Sequence, residues 1–381
     1  MPKYEEGEFP ALVVSLGTSK VKIGYCGPED IRFPSVFDAD RIYPSYNYEN
    51  PERSIAGLLV GRTRHEAHTI YERLLFSKLF HLFNKYNPFM HPILVTESCS
   101  EDTSSRNWRA EVLFEEFQVP SLHFNSDAFF TSYWYDQKTG IVVDCGHSYT
   151  TVVAIYEGRR LPHGCVLPYG GLTIIKGLQK LLDEEIDRKL GHPTAHMMSL
   201  FNDLKEDLWT RDYSYFMPGC QPQPITIDPT IIGREIFRIG RERFSETEVL
   251  FSGGGRPFLI GIPQAVVDCA MKQKDKRYRD LLQHVMLSGG TTGFPNFDTR
   301  LKKDIVKAAM KANLYADVAK AKECIHVERK LHCWYSSWLG AQLIAKKRIF
   351  YFNQVISRIK YLEVGTRHLY EVCKPFSETD E

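Results

Sequence analysis

The chain carries one local pattern twice: an apolar run, a turn centred on glycine, and a second apolar run. Residues 12–25 read LVVSLGTSKVKIGY and residues 141–156 read IVVDCGHSYTTVVAIY. Each run has the length and β-branched content of a buried strand. Gly17 and Gly146 supply turns whose successive backbone N–H groups can point at an anion. One glycine hairpin is common in proteins without a ligand, but two copies predict a phosphate clamp with one turn on each of two lobes.

A third glycine-containing segment follows further along the chain. Residues 285–295 read VMLSGGTTGFP, a short apolar run that meets Gly289 and Gly290. Glycines here allow the backbone to approach a flat ligand closely. The hydroxyls of Ser288, Thr291 or Thr292 can cap the element that follows. The segment is therefore a candidate for the base side of the same ligand site.

Length and composition favour two lobes and disfavour some partners. The chain has 381 residues, of which 43% are hydrophobic and 25% are charged, so it can bury a large core and is long for one domain. A net charge of +1 gives no electrostatic case for nucleic acid or an anionic membrane. The nine cysteines are scattered without a CxxC pair, which fits reduced thiols. We expect a cytoplasmic protein, with the nucleus left open.

Several motifs, in order, resemble the actin family. The first glycine hairpin is followed by Phe33-Pro34-Ser35, and the second reads TGIVVDCG…IYEG. Together these motifs extend over nearly the whole chain, and their mismatches indicate a divergent actin-related protein rather than a conventional actin. The other matching segments are ERF…LF at 242–251, LSGGTT at 287–292, YSSWLGAQLIA at 335–345 and ISRIKY…GTRHL at 356–369.

The resemblance implies an α/β, actin-like (actin/Hsp70/hexokinase) two-lobed fold with a nucleotide cleft. The first lobe is expected at residues 1–134 plus 337–381, with a reduced subdomain 2 at about 36–64. The second lobe is expected at 135–336, with subdomain 4 at about 183–257. From 65 to 86, apolar residues recur at helical spacing and predict an amphipathic helix that packs in the first lobe; they are Ile70, Leu74, Leu75, Leu82, Phe83 and Tyr86.

The resemblance also implies a site for ATP or ADP, with or without Mg²⁺. Lys22 lies in an otherwise apolar strand, which is hard to explain as core filling and suits a phosphate ligand. Asp144 ends a strand of Ile and Val and matches the family carboxylate near the metal. Lys205 and Glu206 match the pair beside adenine and ribose, although alone they would indicate a solvated helix face. The expected nucleotide-binding residues are Gly17, Thr18, Lys22, Asp144, Gly146, Lys205, Glu206, Gly289, Gly290 and Thr291, and the expected metal residue is Asp144.

Four departures from the family pattern argue against catalysis. Ser15 stands where the family has an acidic residue, Asp127 where it has the water-positioning glutamine, and His147 and Thr151 where it has an aspartate and a histidine. Asp127 could still orient water, but its charge would raise the cost of holding a γ-phosphate. The interpretation we favour is that these residues drifted in a protein that is not an enzyme, or is at most a very slow ATPase.

One segment of the family pattern is shortened. Residues 36–91 hold a Tyr- and Pro-rich stretch and the predicted helix, which leaves little room for the subdomain that contacts the next subunit in a filament. This shortening most resembles the actin-related protein at the pointed end of the dynactin filament. A heterologous contact propagates only if both faces are competent. The sequence therefore predicts a monomer that occupies a single place in an assembly.

The function predicted from these features is a non-polymerising, nucleotide-binding structural subunit of a larger cytoskeletal or motor-associated assembly. Its partners are expected to be proteins, including actin-like subunits, with no direct contact to nucleic acid or membrane. The alternatives are a nuclear subunit of a chromatin-remodelling complex and an axonemal subunit. A filament-forming ATPase fits less well because of Ser15, Asp127 and Thr151. A sugar kinase or chaperone fits less well because of the 242–251 and 335–345 motifs.

Overall fold

The computed structural model describes part of the chain. Of the subdomains expected at about 36–64 and 183–257, only residues 36–38, 225–226, 238–239 and 246–255 lie in this part. The described residues are 10–26, 33–38, 76–77, 80, 88–98, 103–177, 180, 225–226, 238–239, 246–255, 258–273, 277–346 and 355–366.

The described elements are fourteen strands and nine α-helices, in groups along the chain. The strands are β1 (Leu12–Leu16), β2 (Lys20–Tyr25), β3 (Ser35–Asp38), β4 (Ile93–Glu97), β5 (Ser121–Ser126), β6 (Gly140–Cys145), β7 (Thr150–Tyr156), β8 (Arg159–Arg160), β9 (Cys165–Leu167), β10 (Ile225–Thr226), β11 (Arg238–Ile239), β12 (Val285–Ser288), β13 (Val327–Glu328) and β14 (Ile356–Ser357). The α-helices are α1 (Thr103–Glu111), α2 (Asp127–Tyr135), α3 (Val249–Ser252), α4 (Ile262–Met271), α5 (Tyr278–Gln283), α6 (Phe297–Lys311), α7 (Val318–Cys324), α8 (Ser336–Ala345) and α9 (Arg358–Val364). Residues 171–177 are also helical, and a π-helical turn, Val112–Glu116, extends α1.

The chain divides into two compact units. The first comprises Met1–Lys138, Glu157–Pro162 and Tyr335–Glu381, and the second comprises Thr139–Tyr156 and His163–Trp334. Each of the two predicted hairpins lies in a different unit.

The first unit is built on a six-stranded mixed sheet in the order β14-β5-β4-β1-β2-β3. Strands β1, β4 and β5 run parallel, whereas β2, β3 and β14 pair antiparallel with their neighbours. The residues of β1 alternate between two buried faces: Leu12 and Val14 join one core and Val13 joins the other. Burial on both faces explains why the run is apolar throughout instead of alternating with polar residues.

Helix α8 closes one of these faces through two close contacts. Trp338 is fully buried, and its indole Nε1 donates a hydrogen bond to the carbonyl oxygen of Val13 at 3.2 Å. Gly340 faces α2, where a side-chain Cβ would overlap the carbonyl oxygen of Phe130. The glycine therefore sets how closely the two helices approach, and the YSSWLGAQLIA segment serves as a packing element of the first unit.

The second unit repeats the strand arrangement of the first. Its sheet has β13, β12, β6 and β7 as successive neighbours, and β9 pairs with β7. Strands β6, β12 and β13 are parallel and β6–β7 is antiparallel, as β1, β4 and β5 are parallel and β1–β2 is antiparallel in the first unit. The duplication visible in two short sequence segments therefore extends to five strands in each unit.

Some sequence predictions on the wider fold fall largely outside the described residues. Within the helix predicted over 65–86, residues 76, 77 and 80 are described and are helical. The rings of Phe76 and Phe80 stack with centroids 5.9 Å apart in the first core, although neither was among the apolar residues that supported the prediction.

None of the described helices is both long and apolar enough to span a bilayer. Free thiols are found at Cys26, Cys145, Cys165, Cys269, Cys324 and Cys333.

Candidate nucleotide site

The first glycine turn joins β1 to β2 and is closed by one backbone hydrogen bond. The N–H of Gly17 donates to the carbonyl oxygen of Lys20 at 3.1 Å. A Cβ on Gly17 would lie 2.5 Å from that oxygen, so a side chain cannot be accommodated without opening the turn. Thr18 is exposed at the tip. The turn thus presents a small, polar surface suited to an anion.

Lys22 lies directly opposite Ser15 in this hairpin. The two residues are Cα partners in the β1–β2 register. Ser15 is buried and Lys22 is half-buried, with its Nζ 5.8 Å from the ring centroid of Tyr335. The aromatic ring favours a fixed position for the ammonium group. The ammonium group of Lys22 therefore lies near Tyr335, and its role as a phosphate ligand stays a prediction.

Parallel strands bring further polar residues to the edge where β1 ends. Ser15 pairs in register with Thr96 of β4, and Thr96 pairs with Asn125 of β5. Asp127 is the first residue of α2, directly after β5, and the hydroxyl of Ser126 caps this helix by accepting a hydrogen bond from the N–H of Phe129 at 3.2 Å. The carboxyl ends of parallel strands are where α/β sheets bind ligands.

A buried ion-pair network between β4 and α1 lies at this edge of the sheet. The carboxylate of Glu97, the last residue of β4, accepts hydrogen bonds from Arg106 Nε at 3.1 and 3.0 Å. Arg109 Nη1 lies 3.9 Å from the same carboxylate, and its side chain is 1% exposed. Two guanidinium groups on α1 thus share one buried carboxylate at the end of a site strand, an arrangement that the sequence did not predict.

The second glycine turn has the same hydrogen-bond geometry as the first. The N–H of Gly146 donates to the carbonyl oxygen of Tyr149 at 3.1 Å. Asp144 is the Cα partner of Thr151, which is the equivalent of the Ser15–Lys22 pair in the first unit. The hairpins predicted from sequence are confirmed. Their register adds that Thr151 occupies the position of Lys22, and that only the second turn keeps a carboxylate two residues before its glycine.

The loop after β12 packs tightly on the second turn. Gly289 has a φ of +87°, and a Cβ there would overlap the carbonyl oxygen of Cys145 and the carboxylate of Asp144. The hydroxyl of Thr291 donates to the carbonyl oxygen of Gly146 at 2.8 Å. By contrast, a Cβ on Gly290 would meet nothing within 4 Å. The predicted residues Asp144, Gly146, Gly289 and Thr291 are therefore in one cluster, with open space above Gly290.

A helix N-terminus also holds the second turn, and sequence reasoning missed it. The N–H groups of Gly171 and Leu172 donate to the carbonyl oxygens of Gly146 and His147, at 3.0 and 2.6 Å. A Cβ on Gly170 would lie 2.6 Å from the carbonyl oxygen of Gly146. These two carbonyl groups satisfy the first N–H groups of helix 171–177, so the two hydrogen bonds fix the turn against the helix. The Gly-Gly pair after β9 was the available signal.

The loop after β12 also contacts Arg329 and Cys333, which precede α8 in the chain. Arg329 Nη1 donates to the carbonyl oxygens of Phe294 and Thr292, at 2.6 and 3.3 Å. The hydroxyl of Thr292 lies 3.3 Å from Cys333 Sγ and donates to the carbonyl oxygen of Gly289 at 2.7 Å. Burial raises the pKa of the Cys333 thiol, so this group is a neutral packing element.

The donor set near the second turn suits a weakly coordinated Mg²⁺ rather than a protein cage. Within the described part of the chain, no three His, Cys, Asp or Glu side chains converge as metal ligands. Asp144 is half-buried at the turn, with Ser288 beside it in the β12–β6 register. Since Mg²⁺ is commonly bound by one or two carboxylates together with substrate phosphates and water, a single Asp144 is compatible with it. Lys205 and Glu206 lie outside the described residues.

Comparison with known families identifies the fold. The family model described as "Actin" matches residues 6–199 and 203–374. The chain belongs to the actin family. The two mixed sheets with their helices confirm the predicted actin-like α/β fold.

Similarity to individual actin-family members is low but extends over the whole chain. Actin-like protein 7B from Mus musculus is 26% identical over 396 residues, which is 95% of this chain and 88% of the relative. The protein of that name from Homo sapiens is 26% identical over 390 residues, with 95% and 88% covered. The Rattus norvegicus protein is 26% identical over 396 residues, again with 95% and 88% covered. Such identity supports the prediction of a divergent actin-related protein.

Proposed function

We propose that this actin-related protein holds ATP or ADP as a structural ligand and serves as a non-polymerising subunit of a larger cytoskeletal or motor-associated assembly in the cytoplasm. The observation that carries the nucleotide part is the repeated hairpin: two turns of equal geometry, one in each unit, each at the carboxyl edge of a parallel strand set. Duplicated, rigidly held N–H turns suit a polyphosphate.

The roles of the proposed nucleotide-binding residues follow from their chemistry. Thr18 and Lys22 would bind phosphate oxygens through a backbone N–H group, a hydroxyl and an ammonium group. The N–H groups of Gly17 and Gly146 close their own turns, so these glycines would serve by letting the phosphates approach the backbone without a side chain in the way. Asp144 would hold a Mg²⁺ hydration shell if the cation accompanies the nucleotide. Gly289, Gly290 and Thr291 would line the base side, where the open space above Gly290 admits a flat ring. Lys205 and Glu206 are proposed beside adenine and ribose.

Very slow turnover, or none, is part of the proposal. Ser15 supplies a hydroxyl where the second turn has the carboxylate of Asp144, which removes one anchor for a hydrated cation. Thr151 opposite Asp144 cannot act as an acid or base near neutral pH. Asp127 begins α2, where the positive end of the helix dipole favours its negative charge. That negative charge would repel a γ-phosphate. These features favour binding over hydrolysis.

Bound nucleotide is the first expected result. Purified protein, heat-denatured and analysed by anion-exchange chromatography, should release adenine nucleotide. Gly290→Ala should lower the nucleotide content at least several-fold, while the urea midpoint of the nucleotide-free protein stays unchanged because a Cβ there meets no described residue within 4 Å. Gly293→Ala is the matched control, since a Cβ there also meets nothing within 4 Å. Wild-type protein without any nucleotide would refute the proposal.

The second expected result concerns assembly. Because the 36–91 segment is short, one end of the subunit lacks the family contact, and polymerisation needs two competent faces. The protein should therefore remain a monomer on addition of Mg-ATP and salt, measured by light scattering and electron microscopy. A conventional actin treated in parallel is the control. Long homopolymers would contradict the proposal, as would a native complex containing many copies arranged head to tail.

A further inference from the structure

The near-neutral chain contains a strongly basic stretch in the second unit, on α6 and α7. Between residues 300 and 322 there are seven Lys and Arg residues against two Asp residues, whereas the whole chain has a net charge of +1. This stretch extends from α6 into α7, which pack against each other. A local excess of one sign in an otherwise balanced chain marks a surface that attracts the opposite charge.

Helix α6 separates its apolar and basic residues onto opposite faces. Its buried residues are Phe297, Leu301, Ile305, Val306 and Ala309. Lys303, Lys307 and Lys311 recur every fourth residue on the other side, and all three are exposed. Residues four apart lie on one helix face, about 6 Å apart along the axis. We call these three residues the lysine ladder.

Ion pairs within the unit neutralise little of the ladder. Arg300 is engaged by Glu248, at 3.0 and 3.1 Å, and by Asp304 at 2.6 Å. Lys307 is 2.9 Å from Asp304, which Arg300 already binds, and its side chain remains 66% exposed. In the part of the chain that the structure describes, neither Lys303 nor Lys311 takes part in an ion pair. The ladder therefore offers uncompensated charge.

We propose that the lysine ladder binds an extended, acidic segment of a partner protein, with carboxylates at alternate residues. Alternate residues of an extended chain are about 6.6 Å apart and point to the same side, close to the 6 Å step of the ladder. One such segment can thus place a carboxylate against each of the three ammonium groups. The binding surface is independent of the nucleotide site.

A protein segment fits this face better than nucleic acid or a membrane. The only aromatic residue of α6, Phe297, is buried, so no ring on this helix is exposed for base stacking. The exposed face of α6 also has no large apolar side chain to insert into a bilayer.

Fluorescence anisotropy with two labelled peptides of equal charge tests the proposal. One peptide alternates glutamate and serine, (Glu-Ser)₅, and the other has the same composition in two blocks, Glu₅Ser₅. The test variant is Lys303→Glu/Lys307→Glu/Lys311→Glu. The matched control reverses three exposed lysines elsewhere, Lys138→Glu/Lys176→Glu/Lys180→Glu. A milder variant, Lys303→Gln/Lys311→Gln, keeps the Lys307–Asp304 pair intact in case the triple variant folds poorly.

We expect the alternating peptide to bind wild-type protein several-fold more tightly than the block peptide, with affinity that falls as salt rises. The ladder variant should lose at least about tenfold in affinity through its charge reversals, the milder variant should lose part of it, and the control should bind like wild type. Equal binding of both peptides would overturn the inference, as would equal losses in ladder and control variants. So would tighter binding to poly-uridine RNA or to phosphatidylserine vesicles. Nucleotide content should be the same in all variants, which separates this outcome from that of the proposed function.

Discussion

Gly289→Ala is expected to lower the free energy of unfolding by about 3 kcal/mol or more and to abolish nucleotide binding. Gly289 has a φ of +87°, a conformation that L-residues other than glycine adopt only with strain. The added Cβ would also overlap the backbone of Cys145 and the carboxylate of Asp144. Relief requires the β12 loop to move away from the second turn, which breaks the hydrogen bond from Thr291 to Gly146.

Urea unfolding followed by circular dichroism, together with nucleotide extraction, measures both effects. The neighbouring positions provide graded controls on the same loop. Gly290→Ala should lower the nucleotide content and leave the midpoint of the nucleotide-free protein unchanged, because a Cβ there meets no described residue within 4 Å. Gly293→Ala should change neither quantity, because its site is equally open and Gly293 is not among the proposed nucleotide-binding residues. A Gly289→Ala protein with the wild-type urea midpoint would show that the loop does not depend on this close approach.

Glu97→Ala is expected to destabilise the first unit by about 3–5 kcal/mol, since it removes the buried carboxylate that two guanidinium groups share. The side chain of Arg109 is 1% exposed and that of Arg106 is 11% exposed, so neither guanidinium can be hydrated without local rearrangement. The unfolding should also reduce nucleotide content, because Glu97 ends the strand next to β1 at the edge of the site.

Two companion variants separate this mechanism from simple loss of a carboxylate. Adding Arg109→Met to Glu97→Ala should recover part of the lost stability, because an apolar side chain then replaces a buried guanidinium group that has lost the Glu97 carboxylate. Glu323→Ala removes the partner of Lys320 in an exposed pair, where both side chains are more than half exposed, and should leave the urea midpoint nearly unchanged. Equal midpoints for Glu97→Ala and Glu323→Ala would contradict a role for the buried network.

Local patterns were sufficient to predict the hairpins and the family. The runs on either side of Gly17 and Gly146 are rich in Val and Ile, as is typical of strands buried on both faces, and the glycine between them allows the tight turn. The motifs at 287–292 and 335–345 placed the loop after β12 and helix α8 in the correct family context. In the helix predicted over 65–86, by contrast, the apolar stripe omitted Phe76 and Phe80, which the core buries.

Contacts between distant residues could not be predicted in this way. Thr291 reaches Gly146 across 145 positions, and Trp338 reaches Val13 across 325. Nothing local to either residue indicates its partner. Likewise, Glu97 reads as the polar end of a strand, yet α1 folds back to place two guanidinium groups against it. The sequence by itself determined the two glycine hairpins and the apolar run that leads into the glycine loop after β12, because these follow from local apolar runs and the backbone freedom of glycine. Only the tertiary structure decided how the second glycine turn is held and which charges are buried, because these depend on which segments pack together.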